Sequence, residues 1–359
     1  MSPKAFSNGK KCIELFQRVG GSSKGDSEIR AYYTNFLRDE MVFPQGGLKY
    51  FQNLFKPSNF QAKPVLKDLS DFKGLRVEKD SYALQDGVDA QRFSKLHFGK
   101  ESADYVDWVQ AHQRFVMGAD SYSISLNTLQ DIHSVVSRRQ FYSGFERRRI
   151  REDFRLGKLT EKEALDSLMK VDAGVSYTGV DHSGFAGKLR KDPVDNFVYT
   201  GEPSVGEGIS GSDFRGMSAN PFFWLDPKSV KRLPNDEYEA TFHYVPPKEV
   251  ESITRLVIER AAIGLESATS DKQYIQTTAI LMRDLATIHP FLDGNGRSIR
   301  LFGDMILAKR GLALPLRPMK EAGLSEYTDD VETIAREMAN QMRQWKMQKG
   351  RSHSPSHKF

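Results

Sequence analysis

Cysteine is nearly absent. Cys12 stands alone, so no intrachain disulfide can form and the chain suits a reducing compartment. No apolar run reaches the roughly 18 residues that a membrane-spanning helix requires. The opening residues, MSPKAFSNGKKC, lack the apolar centre of a secretory signal. The expected compartment is the cytoplasm, with delivery into a host cell's cytoplasm as an effector as the second reading. Charge of one sign is scarce too: Lys and Arg total 52 against 47 acids, a net charge of +5. That excess is too small to imply a nucleic-acid partner. The phosphate-loop pattern G-x-x-x-x-G-K-[ST] is missing, which excludes that route to a nucleotide. Internal repeats are absent as well.

What is present suits a core of good size. Hydrophobic residues make up 39% of 359, a length that fits two domains or one elaborated domain. SLNTLQDIHSVVSRR from Ser125 reads as a helix capped by Ser125, with Leu126, Leu129, Ile132, His133 and Val136 on one face. His133 on that apolar face reads as a core histidine. ERRRIREDFRLGKLTEKEALDSLMK continues as charged helix, and ERRRIR reads as a solvated face. NFVYTG (196–201) and ATFHYVPP (240–247) read as strands joined by a long Gly/Ser/Pro-rich loop. Three helices follow: one entered through Pro246 and Pro247, one over 274–288 that is apolar on most sides, and one over 297–311 stopped by Gly311 and Pro315.

Between the last two helices lies HPFLDGNGRSIR, residues 289–300. Pro290 ends the helix that runs into His289, and Phe291 turns inward to pin the loop. Gly294 and Gly296 let the backbone bend so that successive N–H groups converge on one place, an anion nest. The next helix starts there and adds its N-terminal dipole. Asn295 can donate to a phosphate oxygen. Arg297 and Arg300, three apart on the first turn, share a face suited to di- or triphosphate oxygens. Asp293 is placed to hold Mg²⁺. His289, with an ordinary pKa of about 6.5, is mostly neutral near pH 7 and can accept a proton. Together these groups describe transfer of a phosphate-containing group to a hydroxyl. A calcium loop is the competing reading of DGNGRS, but Ser298 stands where that loop needs glycine and Asp304 where it needs glutamate.

The stretch resembles the Fic (filamentation induced by cAMP) family, whose signature H-x-F-x-[DE]-G-N-G-R-x-x-R it meets at His289, Phe291, Asp293, Gly294, Asn295, Gly296, Arg297 and Arg300. SLNTLQDIHSVV, GKLRKDPVDNFVYTG and FHYVPPKEV are similar to further family segments, so the resemblance spans roughly 105–317. It implies a mainly α fold: a helical core whose helix–loop–helix site is flanked by a β-hairpin flap that pairs with a target peptide. It also implies Mg²⁺-dependent transfer of AMP from ATP to a Ser, Thr or Tyr hydroxyl of a target protein, with pyrophosphate released. By carry-over His289 is the catalytic base and Asp293 the metal ligand. Phe291, Gly294, Asn295, Gly296, Arg297 and Arg300 bind the nucleotide, with the two arginines on its β- and γ-phosphates. Phe197, Val198, Tyr199, Phe242, His243 and Tyr244 form the target-binding flap.

The expected domain plan is an N-terminal extension of unknown role over 1–104 and a Fic domain over 105–345. The latter divides into a core over 105–317, a flap with insertion over 196–247 and a C-terminal helix over 326–345. A basic disordered tail follows over 346–359. The family's inhibitory pattern [ST]-x-x-x-E-[GN] is not met: Pro203 precedes Glu207–Gly208, and TIAREM (333–338) fails at Met338. Restraint by a separate inhibitory partner, or action on a foreign host without restraint, is therefore expected. The resemblance implies nucleotidyl rather than simple phosphate transfer, because the family's phosphate-transferring branch tends to replace the second motif glycine and Gly296 is intact. UMP or phosphocholine transfer by the same loop, and a Fic-fold interaction protein with secondary chemistry, remain as alternatives.

Overall fold

The computed structural model describes residues 72–85, 103–191, 197–199, 209–210, 214, 222, 224–225, 230–316 and 331–352. Eight α-helices are present among them: α1 Ala103–Ala111, α2 Leu126–Val136, α3 Ser143–Arg155, α4 Glu161–Asp172, α5 Val250–Glu266, α6 Asp271–Ile288, α7 Asn295–Lys309 and α8 Val331–Ser352. The fold is mainly α with one small antiparallel sheet, as the sequence predicts.

Local chemistry explains where the helices start. Ser125 accepts from the Thr128 N–H (3.3 Å) at the head of α2, and Ser270 accepts from Gln273 at the head of α6. The long charged stretch is two helices rather than one. Gly157 takes a left-handed φ of 71°, and Thr160 with Glu163 forms a capping box that restarts the chain as α4. Helix α6 is buried on most of its sides and packs against α5, α7 and α8, while α7 also packs on α2. At the α6–α7 crossing a Cβ on Gly303 would lie 2.4 Å from Met282 Sδ, so glycine sets that close approach. A separate small core of Ile150, Ala164, Leu165, Leu168 and Val171 joins α3 to α4.

Strand β5, Glu237–His243, organises the sheet. Its C-terminal half pairs with β1 (Phe197–Tyr199, register Phe197↔Phe242) and β3 (Trp224–Leu225), and its N-terminal half with β2 (Ile209–Ser210) and β4 (Lys231–Leu233). The segment expected as one long loop thus places three short strands against β5. The sequence hid them because two or three residues are too few to show a period of two.

Two boundaries also change. Residues 72–85 fall in the N-terminal extension, yet they dock on the exit of α7: Val77 N donates to Gly311 O (2.9 Å), Ala313 N to Leu75 O (2.8 Å) and Tyr82 Oη to Leu312 O (2.8 Å). The C-terminal helix runs to Ser352, so 346–352, expected as disordered tail, are helical. Buried Trp345 stacks near Tyr82 and Lys349 Nζ lies over its ring, contacts that a composition-based reading cannot see. Residues 353–359, and 1–71, lie outside the described residues.

ERRRIR is not simply a solvated face. Glu146 is fully buried and accepts from Ser176 Oγ, Thr178 Oγ1, His182 Nε2 and the Tyr177 and Thr178 amides at 2.7–3.0 Å. Because Tyr142 N–H donates to His182 Nδ1, the proton of that ring sits on Nε2. Burial pushes the Glu146 carboxyl up, but the hydrogen bonds outweigh it and hold it below the ordinary carboxylate range. A depressed native pKa contributes stability that is present at neutral pH and lost as pH falls from the unfolded value of about 4.3 towards the native one. Glu146→Ala should cost about 1–3 kcal/mol, because the buried His182 ring and the part-buried donors of Ser176, Tyr177 and Thr178 lose their acceptor. Urea denaturation would measure that loss, and Glu146→Gln should flatten the acid dependence of stability relative to wild type.

Candidate active site

The turn from α6 into α7 is held by its own carbonyls. His289 caps α6 in the left-handed conformation (φ 55°, ψ 63°), which is uncommon for a residue with a Cβ. Its N–H still donates to Leu285 O (3.0 Å). Its carbonyl accepts from Arg190 Nε (2.6 Å), and Arg190 Nη2 reaches Ile288 O (3.2 Å) and Val245 O. The Arg190 amide donates to Pro290 O (2.9 Å). Tyr244, the residue after β5, is buried with its ring 5.0 Å from the His289 imidazole.

On the other side of the turn Phe291 is fully buried and stacks on His133 at 3.7 Å and 10°. His133 Nδ1 accepts from the Gly187 amide (2.8 Å), so Nε2 carries the proton and donates to Asp293 O (2.9 Å). Asn295 bridges both backbone groups of Phe291: Oδ1 accepts from its N–H (2.9 Å) and Nδ2 donates to its C=O (2.8 Å). Gly294 is required twice over. Its φ is 74°, and a Cβ there would fall 2.2 Å from Ser137 Oγ. Its carbonyl accepts from both the amide and the hydroxyl of Ser298. Helix α7 begins at Asn295, so the first amides of 295–297 have no acceptor within the helix and form an electropositive end.

Gln140, between α2 and α3, joins the two charged groups at this end. Its Oε1 accepts from Arg297 Nη2, and its side chain hydrogen-bonds Asp293. Asp293 Oδ1 also accepts from the Gly294 amide (2.7 Å). Arg300 folds back along the first turn, its Nη2 3.3 Å from where a Gly296 Cβ would be.

Burial dominates the ionisation of these groups. It holds the His289 imidazole well below its usual value, so the ring is neutral at physiological pH. His133 is driven to about 3 by burial, against the pull of its bond to Asp293 O. Arg190 falls to about 9, again through burial, and stays charged at pH 7. The Asp293 carboxyl is raised above its ordinary value, because burial outweighs the opposing pull of Arg297, the Gly294 amide and Gln140. Among the described residues no cluster of three or more His, Cys, Asp or Glu could cage a metal. One carboxylate beside an anion nest fits the other mode, in which Mg²⁺ is shared between a single protein carboxylate and substrate phosphates.

The structure therefore gathers Asp293, Gly294, Asn295, Gly296, Arg297 and Arg300 at the start of α7, with His289 at the end of α6. Asn295, expected to donate to phosphate, also holds both backbone groups of Phe291. Phe291, expected to pin the loop and grouped with the nucleotide-binding residues, is enclosed by the core and braces the loop. Tyr244, assigned to the target-binding flap, is buried against His289, because β5 has already ended at His243. Phe197, Val198 and Tyr199 do pair with the Ala240–Phe242 stretch, and His243 pairs with Trp224. Arg190 and Gln140 went unassigned. Arg190 stands in the quoted GKLRK stretch, whereas Gln140 carries no sequence signal.

Residues 227–307 match the Fic/DOC family, a span that runs from β4 through the turn into α7. Among solved structures, a Fic domain containing signaling protein from Bacteroides thetaiotaomicron is 13% identical, with 93% of this chain and 99% of that chain covered and a TM-score of 0.30. No curated protein matches significantly.

The hydrogen-bond pattern at His133 makes a direct prediction. Nitrogen-detected NMR should find the ring as the Nε2–H tautomer and neutral across pH 5–8; titration near the ordinary value of about 6.5 would contradict the geometry. Because the native pKa lies below the unfolded one, His133 should reduce stability progressively as pH falls from about 6.5 towards 3.

Proposed function

We propose that this chain is a Fic-type transferase, and in particular a protein adenylyltransferase that moves AMP from ATP to a Ser, Thr or Tyr hydroxyl of a target protein; the match of residues 227–307 to the Fic/DOC family supports that reading. The observation that carries this reading is the α6–α7 turn. A neutral, buried imidazole at His289, the carboxyl of Asp293, and the N-terminal amides of α7 with Arg297 and Arg300 lie within one braced segment. A binding module would have no use for that combination.

The chemistry follows from the groups. His289 takes the proton of the target hydroxyl as its oxygen attacks the α-phosphorus. A new O–P bond forms, the bond from the α-phosphorus to the bridging oxygen breaks, and pyrophosphate leaves with the electron pair. Amides at the head of α7 receive charge on the α-phosphate. Arg297 and Arg300 hold the leaving phosphates, and for Arg297 that means exchanging Gln140 Oε1 for a phosphate oxygen. Asp293 would hold Mg²⁺, which neutralises phosphate charge when bound. Strand β5, reached by β1 and β3 at its C-terminal half, leads directly into the Tyr244–Val245 segment beside His289. That adjacency supports presentation of a hydroxyl-bearing target segment along the sheet. The family's inhibitory pattern is missing, and its near match on α8 has Met338 buried and Glu337 accepting from Gln341. Restraint of this site falls to a separate partner, if it is restrained at all.

Incubating the full chain with cell lysate and ATP, CTP, GTP or UTP labelled at the α-phosphate tests the reading. Label should pass from ATP to protein and be lost in His289→Ala; label from UTP instead would make the donor uridine, and none from any nucleotide would sink nucleotidyl transfer. Arg300→Ala should weaken ATP more than AMP in a binding titration, by about 10-fold. Because His289 stays unprotonated below its usual range, kcat/KM should remain flat from pH 8 down past about 6.5 before an acid limb appears.

A further inference from the structure

Helix α6 ends inside the protein, and its last carbonyls cannot reach water. Ile288 and His289 are both buried, and a left-handed cap turns the His289 carbonyl out of the helical direction. Unmatched buried carbonyls at a helix C-terminus are costly and sit at the negative end of the dipole. The group that meets them is a guanidinium from a distant loop. Arg190, 2% exposed, spans His289 O, Ile288 O and Val245 O with one fork, while its own amide holds Pro290 O. Val245 follows Tyr244, whose ring lies against His289. One side chain therefore joins the exit of β5 to the backbone on which the imidazole is mounted.

We propose that Arg190 is a positioning residue: it locks the left-handed backbone of His289 and fixes that residue to the end of the flap strand, without touching substrate. The catalytic consequence rests on the transferase reading above; the effect on the loop does not. A lysine would keep the charge but, as a point donor, cannot span three carbonyls in fixed directions. The locked backbone matters because displacement of a reacting group by about 1 Å can cost on the order of a hundredfold in rate.

The test compares Arg190→Lys with wild type in three measurements on the full chain. Turnover with ATP should fall by about a hundredfold while the Kd for Mg–ATP stays within about twofold, a split expected of a group that acts on the base rather than on nucleotide. Hydrogen exchange should quicken at the His289 and Phe291 amides and stay unchanged at Ala279 in the middle of α6. Turnover retained within about threefold, exchange unaltered at the turn, or nucleotide affinity lost in step with turnover would each overturn the proposal. Should Arg190→Lys fail to fold, the wild-type chain still decides. The Arg190 Nε–H should resist exchange with D₂O, and exchange as ready as that of exposed Arg232 would refute it. If wild type transfers no nucleotide at all, the transferase reading falls, and the exchange measurements still judge Arg190 on its own.

Discussion

The structure depends on finding donors for the carbonyls of a tight, largely buried turn. Six residues carry the chain from the end of α6 to the start of α7, and four of them are buried. Ile288 O and His289 O go to the Arg190 fork, Pro290 O to the Arg190 amide, Phe291 O to Asn295, Asp293 O to His133 and Gly294 O to Ser298. Buried backbone groups are paired as a rule. Here the pairing is supplied largely by side chains, because neither helix nor strand geometry can supply it. The motif therefore has two kinds of residue: those that the proposed function assigns to a ligand and those that hold the loop.

Burial assigns the ionisation states that the proposed chemistry needs. Two histidines lie in the site, and both are neutral for the same first reason, the cost of placing charge away from water. Their neighbours then separate their roles. His133 has an amide donor on one nitrogen and a carbonyl acceptor on the other, so both its nitrogens are committed. It works as a strut beneath Phe291. His289 is mounted on a cap whose backbone is fixed by Arg190, and its imidazole lies against Tyr244. Arg190 remains charged because burial lowers it only to about 9, and the carbonyls of Ile288, His289 and Val245 that it meets satisfy its buried donors.

Much of the helical frame is legible in the chain. The buried face of α2 is the set Leu126, Leu129, Ile132, His133 and Val136, and α5, α6 and α7 fall where periodicity, caps and prolines place them. The motif residues are legible too, since glycine at a left-handed position and arginines three apart on a helix are local facts. Elements without a local period were lost: the short strands β2, β3 and β4, the docking of 72–85 on Leu312, and the extension of α8 through 346–352. Glu146 misled for a similar reason. Four of the five residues after it in ERRRIR are basic, yet its own side of α3 faces the 176–182 loop.

By itself the sequence determined which reactive groups exist and which backbone bends are allowed, because helix period, cap chemistry and the steric freedom of Gly294 act over a few residues. Only the tertiary structure decided which groups hold the turn. His133 is 160 residues from Asp293, Gln140 is 157 from Arg297 and Arg190 is 99 from His289. Those pairings arise from the packing of α2 on α7 and from the loop that follows α4. Nothing in the spacing of residues along the chain encodes which donor meets which carbonyl, because the match is made in space once the helices have packed and water has been excluded.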